Sequence, residues 1–488
     1  MDFLSNDPAS HDAWARAIDA ATALFRRARP RAPYSGASPA TIAAQLPADP
    51  CPEQGMPLDQ AVAGMDAIVR HSIIVGLPGT AAHLHCPPLI PALAAEVVLS
   101  VLNQSMDSFD QAPAATMVEE QLCAWLCARA GLPAGAGGTF TSGGTQSNAM
   151  GLWLARDAHL AARGWPVRAR GLPPDAGRLV MLCSEVAHFT VDKSAMQLGL
   201  GTDSVVKVPV DDGFAMHPAA LREVLAALRR DGRIPFVLCA TAGTTDHGAI
   251  DPLPALADAA QACGAWLHVD AAYGGALLFS DTRRHALAGI ERADSIGLDF
   301  HKLLWQPVSC GVFLLRDAAQ YAHITTHADY LNPVSHLEQG VPDLVNRSLA
   351  TTRRFDALKV WLTFQALGRR RLGGMIDATC DLAGAVARAV AARPALELVH
   401  APVHLTSVLF RYRADDRVAD ALNQAIRDTL LADGTAVIGT TRVSGRATLK
   451  LTLLHPEASV SDLHAVLDLV VARGDALVAA AHGASSRG

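Results

Sequence analysis

The chain reads as an α/β protein, with a mostly parallel sheet flanked by helices and a small α+β domain at its C-terminal end. Three observations lead there. Short continuous apolar runs at 179–183, 205–210, 235–240 and 265–269 suit strands buried on both faces. Amphipathic stretches at 149–162, 217–230 and 253–263 lie between such runs, as helical crossovers joining parallel strands require. After residue 366 the order changes to a long helix, an apolar run at 403–412, a helical stretch at 413–435 and a second apolar run at 447–454.

At 488 residues the chain is too long for one core. Residues 1–85 are rich in Ala and broken by Pro30, Pro33, Pro39, Pro47, Pro50 and Pro52, and read as a helical arm or dimerisation segment. Residues 86–365 carry the alternating pattern of the large domain, and 366–488 form the small one. Half the residues are hydrophobic and 18% are charged, a balance that excludes general disorder. The net charge of -6 without a basic stripe argues against nucleic acid or an anionic membrane as partner. No apolar run is long enough to span a bilayer. The first residues lack the basic end and apolar run of a signal peptide, and the nine cysteines are scattered. A cytoplasmic enzyme is the expectation.

The chemistry is carried by a few positions at the ends of the expected strands, where open α/β sheets bind ligands. Lys302 follows a strand-like stretch at 293–299 and precedes Leu303, Leu304 and Trp305, a setting that hydrates an ammonium poorly. Asp270 ends the run at 265–269. An amine that can form a Schiff base and a carboxylate that keeps a pyridine nitrogen protonated are the two groups that pyridoxal 5'-phosphate (PLP) needs. The segment 137–148 (Gly-Gly-Thr-Phe-Thr-Ser-Gly-Gly-Thr-Gln-Ser-Asn) lies just before an amphipathic helix, where free amides and the helix dipole favour a phosphate. It lacks the Gly-Lys-Ser/Thr ending of a P-loop. His188 follows the run at 179–183, as a ring that could stack on a planar cofactor, and the hydroxyls of 241–245 end another run.

Together these segments resemble the group II PLP-dependent amino-acid decarboxylases. The likeness runs through 138–157, 187–189, 240–251, 268–275, 293–302 and 351–359, and spans roughly residues 70–470. Segments 140–148, 299–311 and 328–333 are most similar to the L-2,4-diaminobutyrate decarboxylase branch, with the lysine decarboxylases of siderophore pathways next. The resemblance implies a PLP fold-type I (aminotransferase-like) architecture and a homodimer with interfacial active sites. It implies Lys302 as the Schiff-base lysine, Asp270 as the pyridinium partner and His188 as the stacking ring. Gly143, Gly144, Thr145 and His301 would hold the phosphate, with Thr245 beside the cofactor. The implied reaction is decarboxylation of a diamino acid, 2,4-diaminobutyrate before lysine or ornithine, supplying a siderophore diamine.

Three departures from the family pattern stand out. Asp299 replaces the Asn common in relatives, and a carboxylate so near a phosphate needs a cation or a proton to explain it. His85 stands where relatives usually have Asn, beside His83 in a segment that resembles the family's substrate side. The mobile-loop segment 331–348 holds no tyrosine, which leaves His336 as a candidate for protonating the substrate carbon. The competing class is a nonenzymatic metal-binding protein. On a strand, the alternation His83, His85, with Cys86 beside it, would put both imidazoles on one face. No further ligands accompany them, so no metal is expected.

Overall fold

The structure, a computed structural model, describes residues 3–28 and 30–485. The chain falls into two compact units. One gathers the segment ending at His85, Leu382–Ala401 and the chain from Val408 onward; the other comprises Cys86–Asp381 and Pro402–Ser407. The boundary expected at 365/366 lies inside the helix Ala357–Ala391, and the division comes later, at Asp381/Leu382.

In the first unit, strand β1 (Thr80–Ala81) is preceded by helices Pro8–Ala28, Pro39–Ala43, Leu58–Gly64 and Asp66–Arg70. The expected alternation of His83 and His85 on a strand does not form. β1 ends at Ala81, and His83 sits in a turn with φ 59. Both imidazoles are exposed, without the common face that a strand would have given them.

The larger unit holds the seven strands β2 (Gly137–Thr141), β3 (Leu179–Ser184), β4 (Val205–Val208), β5 (Ile234–Thr241), β6 (Trp266–Asp270), β7 (Ser295–Asp299) and β8 (Gly311–Leu315). Their order in the sheet is β2-β8-β7-β6-β5-β3-β4. The pairs β4/β3, β3/β5, β5/β6 and β6/β7 are parallel, whereas β8 is antiparallel to both β7 and β2. Every residue of β3, β7 and β8 is buried, the pattern of strands covered on both faces. Register pairs Thr241 with Asp270 and Asp270 with Gly297, so β5, β6 and β7 end side by side.

The helix Gly144–Ala162 begins five residues earlier than the amphipathic pattern predicts, because the Gly-rich segment itself supplies its first turn. It buries Ser147, Asn148, Gly151, Leu154 and Ala155 along one side. It lies so close to the sheet that a Cβ on Gly151 would come within 2.4 Å of His268 Nδ1. Only glycine fits there without moving the ring.

The C-terminal strands are β9 (Leu396–Leu398), β10 (Ser407–Tyr412), β11 (Val437–Val443) and β12 (Arg446–Thr452), in a five-stranded sheet ordered β1-β11-β12-β10-β9. Helices Asp416–Ala432 and Val460–Ser485 complete that unit. Among the described residues no helix is long and apolar enough to cross a membrane.

Candidate active site

The ends of β5, β6 and β7 and the start of the helix Gly144–Ala162 enclose a cavity of about 310 Å3. Gly143, Gly144, Thr145, His188, Thr245, Asp270, His301 and Lys302 all line it. The sequence scatters these residues over 160 positions; parallel strand ends bring them to one place. His336 is not among the lining residues. It sits in the short helix Val334–Glu338 with Nδ1 2.9 Å from Asp343 Oδ2.

Gly143 has φ 138, a conformation that L side chains rarely adopt, and this bend aims the helix start at the cavity. No side chain caps the first turn, so its amides face an anion unopposed. A Cβ on Gly143 would meet His301 Cε1 at 2.8 Å, and one on Gly144 would meet Ala272 Cβ at 3.0 Å. Bare backbone is therefore what lets the helix start pack this close to His301 and Ala272.

Lys302 Nζ lies 2.9 Å from Asp299 Oδ2, and His301 Nε2 lies 3.7 Å from the same oxygen. Asp299 is thus paired here with the amine that the resemblance gives to the cofactor. Asp299 Oδ1 is buried and accepts no hydrogen bond. His301 Nδ1 faces the Cys310 carbonyl at 2.8 Å and the Cys310 amide at 3.2 Å. On the far side of that loop, fully buried Lys359 donates to the carbonyls of Pro307 and Ser309 at 3.2 and 3.0 Å. Cys86, considered above as a metal ligand, instead donates its buried thiol to the His301 carbonyl at 3.3 Å. Burial pushes that thiol up to about 12, so it is no ready source of thiolate. Among the described residues no group of three or more His, Cys, Asp or Glu side chains could hold a metal.

Asp270 Oδ1 accepts the Ala272 amide at 3.1 Å and Oδ2 accepts Asn148 Nδ2 at 2.8 Å. A carboxylate offers about four acceptor sites, so capacity remains for one more donor. Burial lowers the pKa of the His188 imidazole, against the opposing pull of Asp270. Tyr273, also on the cavity wall, is pushed up to about 12 by burial and hydrogen-bonds Thr406 at 2.5 Å.

Asn148, Thr190, His268 and Ser295 all lie within segments singled out in the sequence, which gave none of them a role. A signal was present: His268 stands two residues before Asp270 on β6 and so shares its face of the sheet.

The fit to PLP rests on this geometry: a backbone cradle for phosphate, a half-buried carboxylate with spare acceptor capacity, and a lysine amine on one cavity wall. Comparison with known proteins agrees. The model of the pyridoxal-dependent decarboxylase conserved domain matches residues 39–413. The chain is 47% identical over 427 residues to an L-2,4-diaminobutyrate decarboxylase of Rhizobium meliloti (strain 1021), covering 86% of this chain and 83% of the relative. It is 43% identical over 454 residues to that of Acinetobacter baumannii, covering 91% and 89%. A crystal structure of the glutamate decarboxylase domain of diaminobutyrate-pyruvate transaminase and L-2,4-diaminobutyrate decarboxylase from Vibrio parahaemolyticus superposes with a TM-score of 0.89. Its sequence identity is 39%, with 97% of each chain covered. The chain belongs to the pyridoxal-dependent decarboxylase family.

Proposed function

We propose that this enzyme decarboxylates L-2,4-diaminobutyrate to 1,3-diaminopropane and CO2 with PLP as cofactor. The observation that carries the chemistry is the convergence of Lys302, Asp270 and the Gly143–Gly144 cradle on one cavity. The substrate follows from likeness to two diaminobutyrate decarboxylases over most of the chain.

When bound, PLP supplies an aldehyde that condenses with amines and a ring that withdraws electrons from the substrate α-carbon. Lys302 would provide the amine that anchors the cofactor. Asp270 would hold a proton at the ring nitrogen. Gly143, Gly144, Thr145 and His301 would hold the phosphate, with Thr245 beside the cofactor. His188, on the cavity wall, would stack on the ring. Delivery of a proton to the α-carbon is the step for which His336 is the candidate. It needs movement of the 331–348 segment, which is held by Asn332 on Thr326 O at 2.7 Å and by Asp343 on the Phe109 amide at 2.9 Å.

We further infer a homodimer whose interface completes the site. Helix Ile90–Leu102 supports this, leaving Ile90, Leu93, Val98, Val101 and Leu102 exposed, an apolar stripe that water alone covers poorly. A cytoplasmic role in supplying a diamine for siderophore assembly fits the subfamily resemblance.

The test is a product assay on purified, PLP-loaded protein with diaminobutyrate, ornithine, lysine, glutamate and aromatic amino acids. Trapped CO2 and 1,3-diaminopropane, with the highest kcat/KM for diaminobutyrate, are expected. Faster turnover of lysine would move the enzyme to the lysine decarboxylases, and keto-acid product without CO2 would make it a transaminase.

A further inference from the structure

A chain of buried hydrogen bonds runs behind the cavity wall, and its direction can be worked out atom by atom. It begins at Trp266, whose indole N–H donates to Ser295 Oγ at 2.8 Å. Ser295 Oγ also lies 2.8 Å from His268 Nδ1. His268 Nε2 lies 2.9 Å from Asn148 Oδ1. Asn148 Nδ2 reaches both Asp270 Oδ2 at 2.8 Å and Thr190 Oγ1 at 2.9 Å. Thr190 Oγ1 lies 3.1 Å from His188 Nδ1, which the Thr190 amide approaches at 3.4 Å. Ser295, His268, Asn148 and Thr190 are all buried, so solvent cannot substitute for any link.

The carboxylate sets the direction. Asp270 can only accept, so the Asn148 amide must turn its NH2 toward Asp270 and its oxygen toward His268. That oxygen needs a donor, which puts a proton on His268 Nε2. Burial keeps the His268 imidazole neutral, lowering its pKa to about 4, so its Nδ1 is bare. Ser295 already accepts from Trp266 and can spend its own hydroxyl proton on that bare nitrogen. At the other end Thr190 accepts from Asn148, and its hydroxyl proton goes to His188 Nδ1. A neutral His188 must then carry its proton on Nε2, the nitrogen left for a ligand.

We propose that Asn148, oriented by His268, is a positioning residue that orders the protons of the active site, keeping His188 as an Nε2–H donor and Asp270 as an acceptor. This inference rests on the reading of Asp270 and His188 as cofactor contacts and adds what sets their states. It gives His188 one polarity. Neutral or protonated, the ring presents an N–H to the ligand, which suits an anionic group such as the substrate carboxylate. Removing a proton from substrate through Nε2 is closed to it. It also joins Asp270 and, through Thr190, His188 by one amide, so a change at His268 is felt by both.

Two measurements decide the matter. Neutron diffraction from holoenzyme crystals should show the proton of neutral His188 on Nε2 and that of His268 on Nε2. A proton on His188 Nδ1 would overturn the proposal. The second is the pH dependence of the bound cofactor's visible band in His268→Phe and His268→Gln. Phenylalanine cannot hold the Asn148 amide, and the midpoint should move by about one pH unit, the size of one lost hydrogen bond to a charged group. Glutamine can donate to Asn148 and accept from Ser295, and should restore the wild-type midpoint. An unmoved midpoint in a His268→Phe enzyme that binds cofactor overturns the relay. If that variant fails to fold, the wild-type proton positions decide alone. Failure of the underlying reading looks different: the wild type would bind no PLP, or would bind it at a lysine other than Lys302.

Discussion

Arg353→Met should cost the larger unit about 3–5 kcal/mol, and adding Glu119→Gln should restore part of that loss. Glu119 is fully buried beneath β2. Its Oε1 accepts the Phe140 amide at 2.9 Å, Thr139 Oγ1 at 3.2 Å and Arg353 Nη2 at 2.9 Å, while Oε2 accepts Arg353 Nη1 at 3.1 Å. At an effective dielectric of about 20, the attraction across such a gap is about 6 kcal/mol before desolvation. Removing only the arginine strands a buried carboxylate on neutral donors, the situation that costs about 3–5 kcal/mol. With glutamine at 119 the Phe140 and Thr139 bonds survive and no charge is stranded, so the double variant should lose only about 1–2 kcal/mol. Because β2 runs into the Gly143–Gly144 cradle, PLP affinity should fall in the single variant and recover in the double. Urea unfolding followed by tryptophan fluorescence is the assay. Six of the seven tryptophans lie between Trp125 and Trp361, so the signal reports mainly on this unit. A double variant less stable than Arg353→Met would refute the reasoning, as it would show two additive losses instead of a relieved charge.

Three other outcomes are expected. Lys302→Ala abolishes turnover, and borohydride reduction of the wild type attaches the cofactor to the peptide containing Lys302; mass spectrometry finding it on another lysine would contradict the assignment. Asp270→Ala lowers kcat on the order of a hundredfold or more, roughly 3 kcal/mol of transition-state stabilisation, with cofactor saturating; near-normal turnover would remove its assigned role. The third concerns His268, whose imidazole has a pKa of about 4 in the folded chain against 6.5 for an ordinary histidine. The unfolded chain therefore takes up this proton first. That share of stability, about 3 kcal/mol, is present above pH 6.5 and lost as pH falls toward 4. Asp251, pushed up to about 6 by burial, works in the opposite sense, with its share lost as pH rises. Comparing wild type with His268→Gln isolates the histidine, and the variant should lose less stability between about pH 7 and 4.5. Parallel pH profiles would contradict the neutral buried imidazole.

The sequence was most legible where one local rule acts alone. The buried strands β3, β5 and β6 read as apolar runs because both faces are covered. The helix Leu253–Cys263 begins and ends where its periodicity does. Edge and antiparallel pieces were harder. β2 is built from Gly137, Gly138 and Thr139, whose pairing with β8 supplies what their side chains do not, so it read as a loop. β11 was missed because Gly439, Thr440 and Thr441 interrupt its apolar pattern. At the site, residues with unmistakable chemistry such as Lys302 and Asp270 were found. Asn148 and Ser295 were not, because their importance lies in which neighbour they face, and a one-dimensional pattern carries no facing. His83 and His85 show the converse, since alternation has meaning only on a strand.

The discontinuous make-up of the first unit also bears on how the protein is born. Thr80 pairs with Val437, 357 positions later, and β1 has no other neighbour in its sheet. A ribosome adding about 5–20 residues per second needs on the order of 20 to 70 s to make the intervening chain. Throughout that time the N-terminal segment has emerged while its strand partner does not yet exist. The Cys86–Asp381 stretch, by contrast, holds nearly all of its own sheet partners and can condense as it leaves the tunnel. The catalytic unit can therefore be finished before the unit that precedes it in the gene.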